Sequence, residues 1–192
     1  ERYAWIKARA VAGDMTAAES LLKRLKPFIY RRYLDYGAFD SLRDMKQKIS
    51  IEVKRKGLAN NIKLGPGGIS EIEFFGQVFQ LIRGGIIPGL QDQRLLHILD
   101  TLVDENFIEP KTRDELQSSY CFLRNTEHRL QEFSDQQTHD LPDNPKTRRQ
   151  LSLAMGFDDW PAFSSRLKRH TDIAHRHFNN LLASRQPETK AH

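Results

Sequence analysis

At 192 residues the chain is long enough for one domain with its own core, or for two small packed subdomains. Its 39% hydrophobic and 29% charged residues exclude a disordered chain, and 11 Gly with 8 Pro are too few for a loop-rich all-β fold. The net charge of +5 is a modest excess, which suits an anionic partner such as a nucleotide or an acidic protein face as readily as a plain solvated surface.

Apolar residues spaced by three and four run through most of the sequence, which is the helical period. Residues 1–12 read as the tail of a helix with Tyr3, Ile6 and Val11 near one face; Gly13 ends it and Asp14 can cap the next. Residues 15–26 carry Leu21, Leu22 and Leu25. Pro27 lacks an N–H, so it is expected to break the helix or restart it as a short aromatic helix from Phe28 to Leu34. Residues 38–56 give the clearest amphipathic pattern, with Leu42, Met45, Ile49 and Val53 opposite Arg43, Lys46, Lys54 and Arg55, and Gly57 at the C-terminal position.

Residues 57–68 are irregular, with room for one short strand at Ile62–Leu64. A helix then runs from near Gly68 to about Arg83. It is apolar over more than half its circumference and so is expected to be buried centrally. Gly84, Gly85, Pro88 and Gly89 mark a turn before a helix over 91–104. Pro110 opens a helix of about 25 residues with the stripe Leu116, Tyr120, Leu123, Glu127 and Leu130. A short helix at 147–155 stops at Gly156, and Asp158 or Asp159 caps a last helix from about 160 to 183. The polar tail 185–192 is expected to be disordered. The fold class is therefore all-α, a bundle of about seven to eight helices. Its expected division is N-terminal helices over 1–58, a bundle over 59–184 and the tail.

The stretch from Lys63 to Phe74 is the most informative for chemistry. Gly65, Gly67 and Gly68 before a helix start let backbone come close to a ligand, and N–H groups at that start favour an anion, with Lys63 adding positive charge. The alternative is a tight turn feeding a core helix. The loop is not a P-loop, lacking the Gly-Lys-Ser/Thr order, and no βαβ unit surrounds it. Glu71 and Glu73 stand about 200° apart on the helix, so one is expected to face a cleft and the other a buried Arg.

Glu127 falls on the apolar stripe of the long helix, with Arg124 and Arg129 as candidate ion-pair partners, because a buried carboxylate needs one. His170, His175 and His177 are five and two apart, which does not suit a shared helical metal face. His97 and His139 read as isolated surface or loop residues. Cys121 excludes an internal disulfide and reads as a small core residue in a reducing, cytoplasmic setting. The basic groups Lys23-Arg24-Lys26, Arg31-Arg32 and Lys54-Arg55-Lys56 are interleaved with acids and match no nucleic-acid module, so a solvated face is expected. No apolar run approaches the ~20 residues that span a bilayer. The opening Glu1-Arg2-Tyr3-Ala4-Trp5 is neither a signal peptide nor an initiator Met, and reads as the cut edge of a longer helix.

Several stretches resemble one family, the glutamine synthetase adenylyltransferases with adenylyl-removing activity. They are Glu1 to Arg9, Arg31 to Phe39, Asn61 to Phe74, Phe79 to Gly85, Glu127 to Gln131 and Gln137 to Pro142, in register over roughly residues 1–183. The resemblance implies a polymerase-beta-like nucleotidyltransferase in which a helical domain follows a catalytic sheet. One half of such an enzyme attaches AMP to a tyrosine of glutamine synthetase and the other removes it by phosphorolysis. The Lys-Leu-Gly-x-Gly-Gly form is more like the N-terminal, adenylyl-removing half.

The family's metal-binding aspartates find no match here, so the resemblance implies the helical part, inactive alone, with Mg and ATP or ADP used only in the intact enzyme and no tightly bound cofactor here. Lys63, Gly65, Gly67, Gly68, Glu71 and Glu73 would then line the nucleotide cleft or a domain interface, although Ser70 stands where the family commonly carries Arg. Glutamine synthetase, a nitrogen-signalling protein and the parent's own catalytic sheet domain are the implied partners, with no nucleic acid or membrane. A purely regulatory protein-binding module is the alternative.

Overall fold

The segment Ile69–Arg83 places apolar side chains on nearly every side, and a helix of that kind is stable only with neighbours all round it. In the computed structural model, which describes residues 2–30, 44, 46–48, 51–134 and 138–183, this helix is the centre of an all-helical bundle. The elements are α1 (Arg2–Trp5), α2 (Met15–Ile29), α3 (Ile69–Arg83), α4 (Leu95–Asp104), α5 (Pro110–Ser134), α6 (Pro145–Ala154) and α7 (Trp160–Ala183). Short 3₁₀ turns lie at Leu58–Asn60 and Pro88–Gln91.

One face of α3 (Ile69, Ile72, Phe75 and Phe79) enters the main core with Leu99 and Leu102 of α4, Leu116 and Leu123 of α5, and Phe163 and Leu167 of α7. The other face (Phe74, Val78 and Ile82) packs on Phe178 and Leu182 near the end of α7. A smaller cluster of Ile6, Ile29 and Tyr30 joins α1 and α2 to Leu81 of α3. Gln80 ties the core to the turn that follows, donating to the carbonyls of Leu90 (2.9 Å) and Asp92 (2.7 Å). The Leu90 carbonyl lies in the core, where it needs such a donor.

Several boundaries follow local chemistry. Asp14 caps α2 by accepting from Ala17 N–H, Asn144 caps α6, and Asp159 accepts from Ala162 N–H at the start of α7. Other expectations need correction. The first helix ends at Trp5, and Val11 is 80% exposed rather than on an apolar face. Pro27 does not break α2, which runs through it to Ile29. Pro27 lies exposed in the last turn, where water can take the carbonyl left without a donor.

The strand expected at Ile62–Leu64 is a single antiparallel bridge, Asn61 to Asp140. Cys121 is exposed, not a core residue. Of the helix expected over 38–56, residues 44, 46–48 and 51–55 are helical, while Leu42, Met45 and Ile49 lie outside the described residues, as do Arg31 to Phe39, Gln137 and the tail 185–192.

α5 and α7 make the most extensive helix contact, and its polar centre is Ser119 with His170. Ser119 Oγ and His170 Nδ1 are 3.1 Å apart, and the imidazole stacks on Phe122 at 4.5 Å between centroids. Burial, helped by Arg166 and Arg169, lowers the His170 pKa below its ordinary value.

Two predictions follow from this packing. The unfolded chain protonates His170 more readily than the folded one, so its contribution is intact above about pH 6.5 and is lost as pH falls below that. Urea midpoints at about pH 7.5 and pH 5.5 should therefore fall further for the wild type than for His170→Gln, and equal losses would clear His170 of that role. Gly67 has φ +71° and a Cβ there would lie 2.0 Å from the Thr171 carbonyl oxygen of α7, whereas Gly156 has φ +79° with nothing within 4 Å. Gly156→Ala should cost about 1–2 kcal/mol from backbone strain alone, and Gly67→Ala about 2–4 kcal/mol because the clash adds to it. Equal costs in denaturant titration would mean that the loop backs away from α7 freely.

Candidate functional site

Asn61 organises the loop that enters α3. Its Oδ1 accepts from Lys63 N–H (3.1 Å) and Leu64 N–H (2.8 Å), and its Nδ2 donates to Asp140 (2.7 Å). Side-chain bonds of this kind let Asn hold a turn that the backbone alone would not close. The 138–141 segment is stitched alongside, with Ile62 N–H on the His139 carbonyl and Leu141 N–H on the Asn60 carbonyl.

The glycines serve closure within the protein. Gly67 is pressed on Thr171, and a Cβ on Gly68 would lie under 3.0 Å from the carbonyls of Ile62, Lys63 and Gly65. Gly65 N–H is bonded to the Asn61 carbonyl. The expectation of free donors at the start of α3 does not hold. Ile69, Ser70 and Glu71 N–H groups go to the carbonyls of Ile62, Lys63 and Gly68. Gly67 N–H donates to Glu71 Oε2 at 2.9 Å. With these donors used, an anion at this helix start would have to be held by side chains.

Glu71 and Glu73 do diverge, but neither meets an arginine among the described residues. Glu71 faces His175 Nδ1 of α7 at 2.9 Å, which fixes a proton on that nitrogen. Glu73 pairs with Lys7 at 2.9 Å and takes a long contact of 3.5 Å from the Tyr120 hydroxyl. Burial first, and then the Glu73 charge, pushes the Tyr3 phenol up to about 12; the same two causes raise Tyr120. Both phenols therefore stay protonated at neutral pH.

The centre of the region is Glu127, 2% exposed on the inner face of α5. Arg124, one turn earlier, bonds its Oε2. Lys63 Nζ lies 3.5 Å from Oε1 and His139 Nδ1 lies 3.0 Å from it. The His139 contact is close but not aligned for a hydrogen bond, so Glu127 Oε1 has no directed bond and is met by the Lys63 charge. Lys63 and Arg124 are each about a third exposed, so their outer surfaces reach solvent while their charges point inward. Arg129 turns the other way, to Glu132 at 2.8 Å on the surface, and so is not a Glu127 partner.

The loop Lys63 to Gly68, Glu71, Arg124 and Glu127 thus gather in one place, with Glu73 on the flank toward α1. Sequence reasoning missed His139, His175 and Lys7. His139 sat in a quoted motif but had no periodicity to place it, and His175 and Lys7 meet their acids from distant parts of the chain. His170, His175 and His177 separate onto Ser119, Glu71 and Glu115. Among the described residues, no three His, Cys, Asp or Glu side chains are grouped to hold a metal ion. No described helix is long and apolar enough to cross a membrane.

Comparison with known proteins places these features in a lineage. Residues 43–182 match the family model described as GlnD PII-uridylyltransferase. Bifunctional glutamine synthetase adenylyltransferase/adenylyl-removing enzymes are similar over nearly the whole chain. That of Nitrosococcus oceani is 51% identical over 96% of this chain and 19% of its own length, and that of Pseudomonas syringae 49% over 95% and 19%. That of Chromobacterium violaceum is 47% identical over 100% of this chain and 21% of its own length. The chain therefore spans about a fifth of the length of these relatives. With the family model covering most of it and close identity along the remainder, the chain belongs to the family of glutamine synthetase adenylyltransferase/adenylyl-removing enzymes, within the broader GlnD PII-uridylyltransferase group.

Proposed function

We propose that this chain is the helical part of the adenylyl-removing half of a glutamine synthetase adenylyltransferase/adenylyl-removing enzyme, where it forms one wall of the nucleotide cleft. In this reading residues 1–58 lead out of a catalytic sheet domain elsewhere in the longer polypeptide, and residues 59–184 form the bundle. The sheet carries the reaction, phosphorolysis of AMP from a tyrosine of glutamine synthetase, in the cytoplasm. The observation that carries the reading is the convergence at Glu127, where the loop after Asn61, the long helix and the 138–141 segment meet.

Two or three cationic groups surround one carboxylate there, so the cluster holds net positive charge at a partly open rim. A phosphate-bearing nucleotide is the ligand that such a rim suits. Among the described residues no three acids are grouped as a magnesium site would need, and Glu71 and Glu73 are engaged by His175 and Lys7. In this reading the metal belongs to the sheet domain and ATP or ADP bridges the two.

A second reading, a module that binds glutamine synthetase or a nitrogen-signalling protein without taking part in catalysis, has its support in α2. That helix exposes Leu21 and Phe28 one above the other with Arg24 between them.

Mixed with adenylylated glutamine synthetase, Mg²⁺ and phosphate, the isolated chain is expected to release no ADP above background; release would put the chemistry inside these helices. In a full-length enzyme carrying this segment, Lys63→Met is expected to raise the KM for phosphate or nucleotide about tenfold in an enzyme that still folds, with a lowered Tm because buried Glu127 loses one of its cations. An unchanged KM would leave the loop as a structural turn only and favour the second reading.

A further inference from the structure

A cavity of about 410 Å³ opens between the second half of α3, the start of α5 and the end of α7, with neither Glu127 nor its partners in its lining. It falls within the size range of small-molecule sites. Its wall is mostly apolar, with Phe75 and Phe79 of α3, Phe107 and Ile108 before α5, and Leu181 of α7. Two charged side chains line it, the exposed Glu109 just before α5 and the less exposed Arg83. Arg83, the last residue of α3, lies over the Phe107 ring at 5.5 Å from its centroid.

Its Nε is buried without a hydrogen-bond partner, and Arg83 makes no hydrogen bond or ion pair with any described residue. The nearby groups do not supply one. His177 Nε2 is committed to Glu115 at 2.6 Å, and Glu109 is exposed at the mouth, where water screens it. A guanidinium keeps its charge at any ordinary pH and presents a planar fork of donors. Leaving such a group half-buried against aromatic rings without an acceptor is costly, so its position marks where an acceptor belongs.

We propose that this cavity binds a small organic carboxylate with an aromatic or branched apolar body, the carboxylate on Arg83 and the body against Phe75, Phe79 and Phe107. A carboxylate matches the fork of the guanidinium with two parallel bonds, and the rings take an apolar body edge-on or stacked. The site is separate from the cluster at Glu127 and does not depend on the role assigned to that cluster.

The probe is 4-phenylbutyrate, titrated into the chain by calorimetry and by ligand-observed NMR, with the uncharged 4-phenylbutanamide beside it. The expected result is saturable binding of the acid at about millimolar Kd or tighter. The amide should bind about tenfold or more weakly, and Arg83→Gln should weaken the acid by a similar factor. Thr112→Trp, which fills the mouth from α5, should abolish binding, with circular dichroism and Tm confirming that each variant is folded. The proposal is overturned if the acid does not saturate by about 10 mM, or if amide and acid bind alike. It is equally overturned if binding survives Thr112→Trp unchanged. The amide comparison uses the wild-type chain, so it decides the matter even if a variant fails to fold.

Discussion

A carboxylate taken out of water must be compensated where it lies, and much of this structure is arranged around that requirement at Glu127. The acid sits on the inward stripe of α5, at a position the helical period reserves for an apolar side chain. Arg124 from the same helix compensates one oxygen. The other oxygen draws Lys63 from the loop before α3 and His139 from the segment after α5. Three pieces of chain far apart in sequence are thereby fixed to one atom group. A leucine at 127 could fill a similar volume, but it would leave the Lys63 and His139 side chains without their shared partner, with only the bonds between the 60–62 and 139–141 segments to hold the two together. Buried ion pairs of this sort are weak evidence for stability and better evidence for a fixed arrangement, since desolvation offsets much of the attraction.

The glycine-rich loop acquires its shape from the same arrangement. Its backbone donors are used internally, and Gly67 and Gly68 are needed because neighbouring backbone comes within a distance no Cβ tolerates. The loop is therefore a rigid saddle between α3 and α7, latched by Glu71 to both Gly67 N–H and His175. Rigid backbone with a charged side chain on its edge is what a ligand-facing surface requires, because the ordering cost is met during folding rather than on binding. The close approach of backbone that the glycines permit is thus toward α7.

The helical bundle was legible because its signal is periodic. Pro110 and the pair Asp158-Asp159 announced helix starts, Gly156 a stop, and the apolar breadth of Ile69–Arg83 announced a central helix. Errors came where a local rule met an exception in context. Pro27 was tolerated because it falls in a solvated last turn, and Cys121 lies on the outer side of α5, where periodicity would have put it had residue type not argued otherwise. The site was legible in part. Glu127 and Arg124 could be paired because both lie on one helix and their spacing is fixed by it. His139, His175 and Lys7 could not, since no spacing rule relates a loop or a distant helix to a given acid.

The positive charge at Lys63 and Arg124 and that at Arg83 differ in kind, and the difference says what each can do. Lys63 and Arg124 are bound to an acid, so a ligand at their edge meets a reduced field, held in fixed geometry. Arg83 forms no ion pair with a described residue, and it stands in a mostly apolar wall where its field is less screened than at an open surface. The first arrangement suits a multiply charged phosphate that brings its own counter-ion and needs positioning. The second suits a single small anion whose apolar remainder replaces water along the rings. Because α3 begins at the first and ends at the second, a ligand at Arg83 and a ligand at Lys63 would load opposite ends of the same buried helix. That helix is packed on every side, so a shift at one end cannot be absorbed by loose side chains near it. The acids near its start tie it to its neighbours, Glu71 to His175 of α7 and Glu73 to Lys7 and, at longer range, to Tyr120 of α5.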